Sequence, residues 1–188
     1  MGLEEVGILR TLKSHREIMD RLIRGHEGRI ANTAGDSVLA EFPSVVDAVQ
    51  AAVEIQEALR TTNEALPADR QVRFRIGVHV GDMMVKEGDL FGGGVNIAAR
   101  LQTLAEPGGV CVSGSAHEHI GKLLPLAYED LVTQQVKNIA EPVRAYSVAA
   151  HHGIELSAHR VQGRTGRRAL PTSARMPRSG ELSLGSRR

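Results

Sequence analysis

Along residues 3–24, Leu9, Leu12, Met19, Leu22 and Ile23 fall among charged residues at roughly helical spacing, which predicts an amphipathic helix closed by Gly25. The next segment, Arg29 to Phe42, has two apolar stretches around a turn of small residues at 33–37, the pattern of a β-hairpin. Ser44 with Asp47 three residues on reads as a capping box, opening a helix through about Thr62 whose stripe is Val45, Val49, Ala52, Val53 and Leu59. The clearest periodicity follows. Val72, Phe74, Ile76, Val78 and Val80 alternate with Arg73, Arg75, Gly77 and His79, predicting a strand with one buried face. Gly81-Asp82 turns the chain, and Met83-Met84-Val85 is expected to pair back as a hairpin. A glycine-rich loop, 88–94, then leads into a helix from about Val95 to Ala105, stopped by Pro107-Gly108-Gly109 before a short buried strand, Val110-Cys111-Val112. Mixed helices and hairpins of this kind predict an α+β fold with antiparallel pairing rather than βαβ units.

Charge divides the chain where this patterning stops. The whole protein is nearly neutral at +1, yet residues 151–188 hold eight arginines, no lysine and only Glu155 and Glu181 as acids, a net +6. The first 150 residues therefore carry −5, with 15 bases against 20 acids, and they also hold all five aromatics: Phe42, Phe74, Phe91, Tyr128 and Tyr146. The expected organisation is a folded domain over 1–149 and a disordered basic tail over 150–188, whose apolar content is too low to offset its ordering entropy. With neither lysine nor aromatics, the tail reads as a solvated segment rather than a nucleic-acid arm. A single cysteine excludes a disulfide framework or an all-cysteine zinc site within one chain. No apolar run is long enough to span a membrane and the N-terminus lacks a signal-peptide pattern, so the expected location is the cytoplasm.

Candidate chemistry gathers at the glycine-rich loop. Backbone amides at a helix start can cradle phosphate, although neither a Walker A nor a G-x-G-x-x-G pattern is present. Asn96 and Arg100 stand four apart and so share one helix face beside the loop. They fit two readings equally: a pair converging on ribose and phosphate oxygens, or a helix cap and a surface ion pair. Asp36, at the predicted hairpin turn, could hold a hard cation such as Mg²⁺ or could simply make the turn. Cys111 reads as a buried small hydrophobe, and His117-x-His119 as a surface pair without a third ligand.

Taken together, Asn32-Thr33-Ala34-Gly35-Asp36, Phe74-Arg75-Ile76-Gly77-Val78-His79-Val80-Gly81-Asp82, Asp89-Leu90-Phe91-Gly92-Gly93-Gly94-Val95-Asn96-Ile97-Ala98-Ala99-Arg100-Leu101 and Glu106-Pro107-Gly108-Gly109 closely resemble the class III adenylate/guanylate cyclase catalytic domain. The resemblance covers roughly residues 3–148 and implies a ferredoxin-like α+β fold with an antiparallel-rich sheet. It implies conversion of ATP to 3′,5′-cyclic AMP and pyrophosphate in intracellular signalling, with Mg²⁺ or Mn²⁺ in a two-metal site. It gives Asp36 a metal-binding role and makes Asn96 and Arg100 the catalytic pair, at the ribose and the α-phosphate. It gives Asp89 a place at the purine and Lys137 a place at the terminal phosphates. In the family each site is shared between two protomers, so a homodimer, or a heterodimer with another cyclase domain, is implied.

Two departures accompany the resemblance. Asn32 stands where the family often has a purine-selecting lysine, which leaves ATP and GTP both open. The family's first strand, with its first metal aspartate, finds no match, because Met1-Gly2-Leu3 begins where the first helix begins. The expectation is thus a cyclase domain lacking its first strand, with one metal carboxylate. The alternatives are an impaired nucleotide-binding or dimerising module that pairs with a complete cyclase, or a gene fragment.

Overall fold

A computed structural model describes residues 3–81, 84–86, 89–134, 142–149 and 180–187. Helix α1 (Leu3–Gly25) buries Thr11, His15, Met19 and Ile23, a line at spacing four, while Leu9 of the predicted stripe is 55% exposed. The helix closes with Glu27 at φ +58, and Gly28 donates its amide to Ile23 O at 2.8 Å. Strands β1 (Arg29–Ala34) and β2 (Ser37–Phe42) form the predicted hairpin, with a register shift between Ile30 and Asn32. Helix α2 (Val45–Glu64) starts at the predicted cap: Ser44 Oγ accepts the Asp47 amide at 3.2 Å and donates to Asp47 Oδ2 at 2.5 Å. Its buried line runs through Val45, Val49, Ala52, Ile55 and Leu59, with Ile55 in place of the predicted Val53.

Strand β3 (Arg73–Val80) is the predicted alternating strand. It is fastened to α2 at two points. Asn63 Nδ2 donates to Val72 O at 2.8 Å while its Oδ1 accepts the Val72 amide, and Gln56 Nε2 donates to Phe74 O at 3.0 Å and Gly109 O at 2.8 Å. Both side chains are buried, so these bonds satisfy groups that would otherwise be costly to desolvate.

The next stretch departs from expectation. Strand β4 (Met84–Lys86) pairs with β5 (Asp89–Phe91), not with β3, so the glycine-rich segment is partly strand. Helix α3 (Gly93–Leu104) starts two residues earlier than expected, and β6 (Val110–Ser113) pairs with β3 in parallel. That makes a βαβ crossover where only hairpins were expected; the short apolar run 110–112 carries no signal that distinguishes the two pairings. Helix α4 (Gly114–Ile120) and strands β7 (Ala127–Gln134) and β8 (Val143–Ala149) complete that side.

The largest difference lies at the C-terminus. Gly180–Arg187, inside the span expected to be a disordered tail, forms strand β9, and the seven-stranded sheet runs β1-β2-β9-β3-β6-β8-β7. β9 lies between β2 and β3 and is antiparallel to both. The rest of the expected tail, 150–179 and 188, lies outside the described residues. One sheet face, bearing Val38, Ala40, Phe74, Ile76 and Val78, forms the main core with α1, α2 and α4. Across the sheet, α3 packs against β3.

Candidate active site

The position of α3 is set by a glycine. A Cβ built on Gly77 would lie 2.2 Å from Ala98 O and 2.4 Å from Gln102 N, so only glycine lets the helix backbone sit directly on the strand. Ala98 and Leu101 anchor the inner side of α3 and are buried. Asn96 and Arg100, one turn apart, share one face of the helix as their spacing predicts, and both are exposed there. Gly92 caps the helix at φ +143, and as a glycine it brings no side-chain capping bond to the first-turn amides. The Arg100 carbonyl accepts Thr103 Oγ1 at 2.7 Å.

Asp36 is exposed in the two-residue loop between β1 and β2, beside Gly35 at φ +60, the glycine-first pattern of a type II′ turn. Asn32 is exposed on β1. Asp89 is the first residue of β5, in register with Lys86, and β5 touches both β1 and α3. The fold therefore gathers the elements bearing Asn32, Asp89, Asn96 and Arg100 around β5, with Asp36 at the end of the hairpin to which Asn32 belongs. Lys137 lies outside the described residues, as does Asp82. Among the described residues, no group of three or more His, Cys, Asp or Glu side chains is placed to hold a metal ion. A single exposed carboxylate still suits a Mg²⁺ or Mn²⁺ ion that takes its remaining ligands from water and substrate phosphates.

Beyond α3, a cleft of about 630 Å³ is lined by His79, Ile97, Ser113, Glu118, Arg144 and Tyr146, among others. His79 Nδ1 is 3.0 Å from Ser113 Oγ, which lies 3.0 Å from Ser115 Oγ and also accepts the Ala116 amide at the start of α4. Burial pushes the His79 imidazole down to about 4, so the ring stays neutral near pH 7. This cluster was not legible in the sequence, because His79 sits on the alternate positions of β3 that the pattern assigns to solvent. His117, expected at the surface, instead stacks on Tyr146 at 4.0 Å and meets the edge of Tyr128 at 4.7 Å. Cys111 is fully buried with its thiol pushed up to about 12, which fits a small hydrophobe rather than a nucleophile.

Comparison with known proteins bears on this arrangement. A family model described as "Adenylate and Guanylate cyclase catalytic domain" matches residues 3–147. A protein named "Putative adenylate cyclase 3" from Rhizobium meliloti is 42% identical over 132 residues, which cover 70% of this chain and 22% of that protein. The aligned part is thus about a fifth of that relative's length. The crystal structure of an "Adenylate/Guanylate Cyclase/Hydrolase" from Silicibacter pomeroyi superposes with a TM-score of 0.72 at 36% identity, covering 79% of this chain and 88% of that one. A guanylate cyclase domain from Catenaria anguillulae in complex with GTP superposes with a TM-score of 0.61 at 20% identity, over 80% of this chain and 86% of its own. At that identity the likeness speaks to the fold alone.

Proposed function

Because this chain belongs to the adenylate and guanylate cyclase catalytic domain family, we propose that it is a nucleotide cyclase that converts ATP to 3′,5′-cyclic AMP and pyrophosphate. The reaction is an in-line attack of the ribose 3′-hydroxyl on the α-phosphate. The protein's task is to fix the two groups in line and to neutralise the charge that develops. Asn96 orients the ribose through its amide. Arg100 sets a permanent positive charge and a planar fork of donors against the α-phosphate oxygens, where charge accumulates as the bond to pyrophosphate breaks. Asp89 and Asn32 read the purine edge, and Lys137 meets the terminal phosphates. Asp36 would hold Mg²⁺ or Mn²⁺, which supplies charge neutralisation at the phosphates when bound. ATP is favoured over GTP by the adenylate cyclase relative at 42% identity, and Asn32 is compatible with either base.

The observation that carries this reading is the outward placement of Asn96 and Arg100 from an α3 that Gly77 holds against β3. Facing outward, the pair suits a site completed by a second copy, with Asp36 of one chain opposite α3 of the other. No helix among the described residues is long and apolar enough to cross a membrane, in keeping with action in the cytoplasm.

One observation favours a second reading. The end of β9 that runs past the β1–β2 turn consists of Gly185, Ser186 and Arg187, so this strand brings no carboxylate to stand beside Asp36. With no second carboxylate brought to Asp36 by β9, the chain would serve as the half of a heterodimer that lends Asn96 and Arg100 to a complete cyclase. The test is product formation by the purified chain with ATP or GTP and Mn²⁺, read by mass spectrometry. The first reading expects cyclic nucleotide, lost at least about 10³-fold in Arg100→Ala. The second expects product only after a cyclase bearing both metal carboxylates is added, and no product in either case would refute both.

A further inference from the structure

β9 differs from every other strand of the sheet in how it is joined. It lies between β2 and β3, while the chain reaches it from β8, which stands on the far side of β3 and β6. Eight residue pairs register it with β3 and five with β2, all antiparallel. Since β2 and β3 are each antiparallel to β9, they run parallel to one another. Two strand spacings, about 10 Å, separate them, so they cannot pair directly if β9 leaves. What would remain is a slot with an unpaired strand edge on each side, the geometry that captures extended segments by backbone hydrogen bonding.

The sequence of β9 fits the slot by register. Leu184 stands level with Val38 and Ile76, and Leu182 with Ala40 and Val78, four residues that are at most 1% exposed. Ser183, at an alternate position, stands level with Gly77, where α3 approaches the sheet most closely. Nothing in this fit depends on which copy of the chain provides the strand. Residues 150–179 join β8 to β9, and thirty residues can span up to about 100 Å, more than enough to reach the same slot on a neighbouring molecule.

We propose that the slot between β2 and β3 is a strand-binding site, and that Gly180–Arg187 exchanges between two copies of this chain, each closing the sheet of the other. The swapped and unswapped forms contain the same pairings, so the balance between them is set by protein concentration against the effective concentration of the tethered strand.

Glu41 and Glu181 are direct register partners on β2 and β9, and replacing both by cysteine puts two thiols across an antiparallel pair. Buried Cys111, its thiol held protonated, stays out of the oxidation. The full-length double variant Glu41→Cys, Glu181→Cys should form an intrachain disulfide on mild oxidation. For exchange, the two single variants are unfolded together in urea, refolded at total concentrations from about 10 μM to about 1 mM, rising toward the millimolar effective concentration expected of a flexible tether, and then oxidised. A disulfide-linked heterodimer that increases with concentration is the expected result. A mixture of Glu181→Cys with Lys122→Cys, an exposed position away from the slot, should give none. Absence of the intrachain disulfide would refute the slot, and a heterodimer yield no higher than that control at any concentration would refute the exchange.

Discussion

Replacing Gly77 by alanine tests the step that links the fold to the proposed chemistry. The new Cβ would stand 2.2 Å from Ala98 O and 2.4 Å from Gln102 N, both backbone atoms with no side-chain freedom to yield. Opening the shorter contact to a still tight 3.0 Å needs a displacement of about 0.8 Å between α3 and β3. Overpacking of this kind costs about 1–3 kcal/mol, read as a lower midpoint in urea unfolding with the slope unchanged. The larger effect is expected on activity. Asn96 and Arg100 ride on α3, and a shift near 1 Å in groups that position a reaction lowers turnover on the order of 10²-fold. Gly93→Ala provides the contrast: nothing lies within 4 Å of its Cβ, and helix propensity favours alanine by up to about 1 kcal/mol. Cyclic nucleotide production by Gly77→Ala equal to wild type, with stability unchanged within about 0.5 kcal/mol, would show that the close crossing does not position the pair.

Glu27 occupies the left-handed region at φ +58, so Glu27→Gly should raise stability by about 1 kcal/mol in thermal or urea unfolding. Gln56→Met removes two hydrogen bonds from the junction of α2 with β3 and the Gly109 turn, and should cost about 1–3 kcal/mol by the same measurement. His79, held down to about 4 by burial, stays neutral in the folded protein while the unfolded chain takes up its proton near 6.5. Stability should therefore be unaffected by His79 above pH 6.5 and fall as pH drops from there toward 4, by on the order of 3 kcal/mol in total. Burial lowers His15 as well, adding in the same direction. His79→Gln should flatten the slope by up to one proton in pH-dependent urea titrations, and an unchanged slope would exclude His79 as its source.

Much of the front of the fold was legible because local signals there agree with tertiary packing. The Ser44–Asp47 box and the period-two run of β3 each report a requirement that the fold then meets in place. The same held for the outward pair Asn96 and Arg100, whose spacing is enough to put them on one helix face. What escaped were pairings decided between distant segments. Met84–Lys86 looks like a partner for β3 but takes β5, and Val110–Val112 gives no sign that it will lie parallel to β3. The C-terminal strand shows the limit most clearly: Leu182 and Leu184 are two apolar residues in a basic, polar segment, too few to predict a strand. Their fit becomes visible only beside Val38, Ala40, Ile76 and Val78. On α1, Leu9 joined the predicted stripe by hydropathy alone, whereas packing selected the line of Thr11, His15, Met19 and Ile23.

The central claim, a site shared between Asp36 of one chain and Asn96 and Arg100 of another, is tested most directly by mixing two inactive variants. Asp36→Ala and Arg100→Ala, each purified and each expected to be inactive with Mn²⁺ and ATP, are combined in equal amounts and assayed for cyclic AMP. A symmetric dimer with two shared sites leaves one intact site in each mixed dimer, and half the dimers are mixed, so recovery to about a quarter of wild-type activity is predicted. Activity in the mixture no higher than that of the separate variants, beside an active wild type, would contradict the shared site.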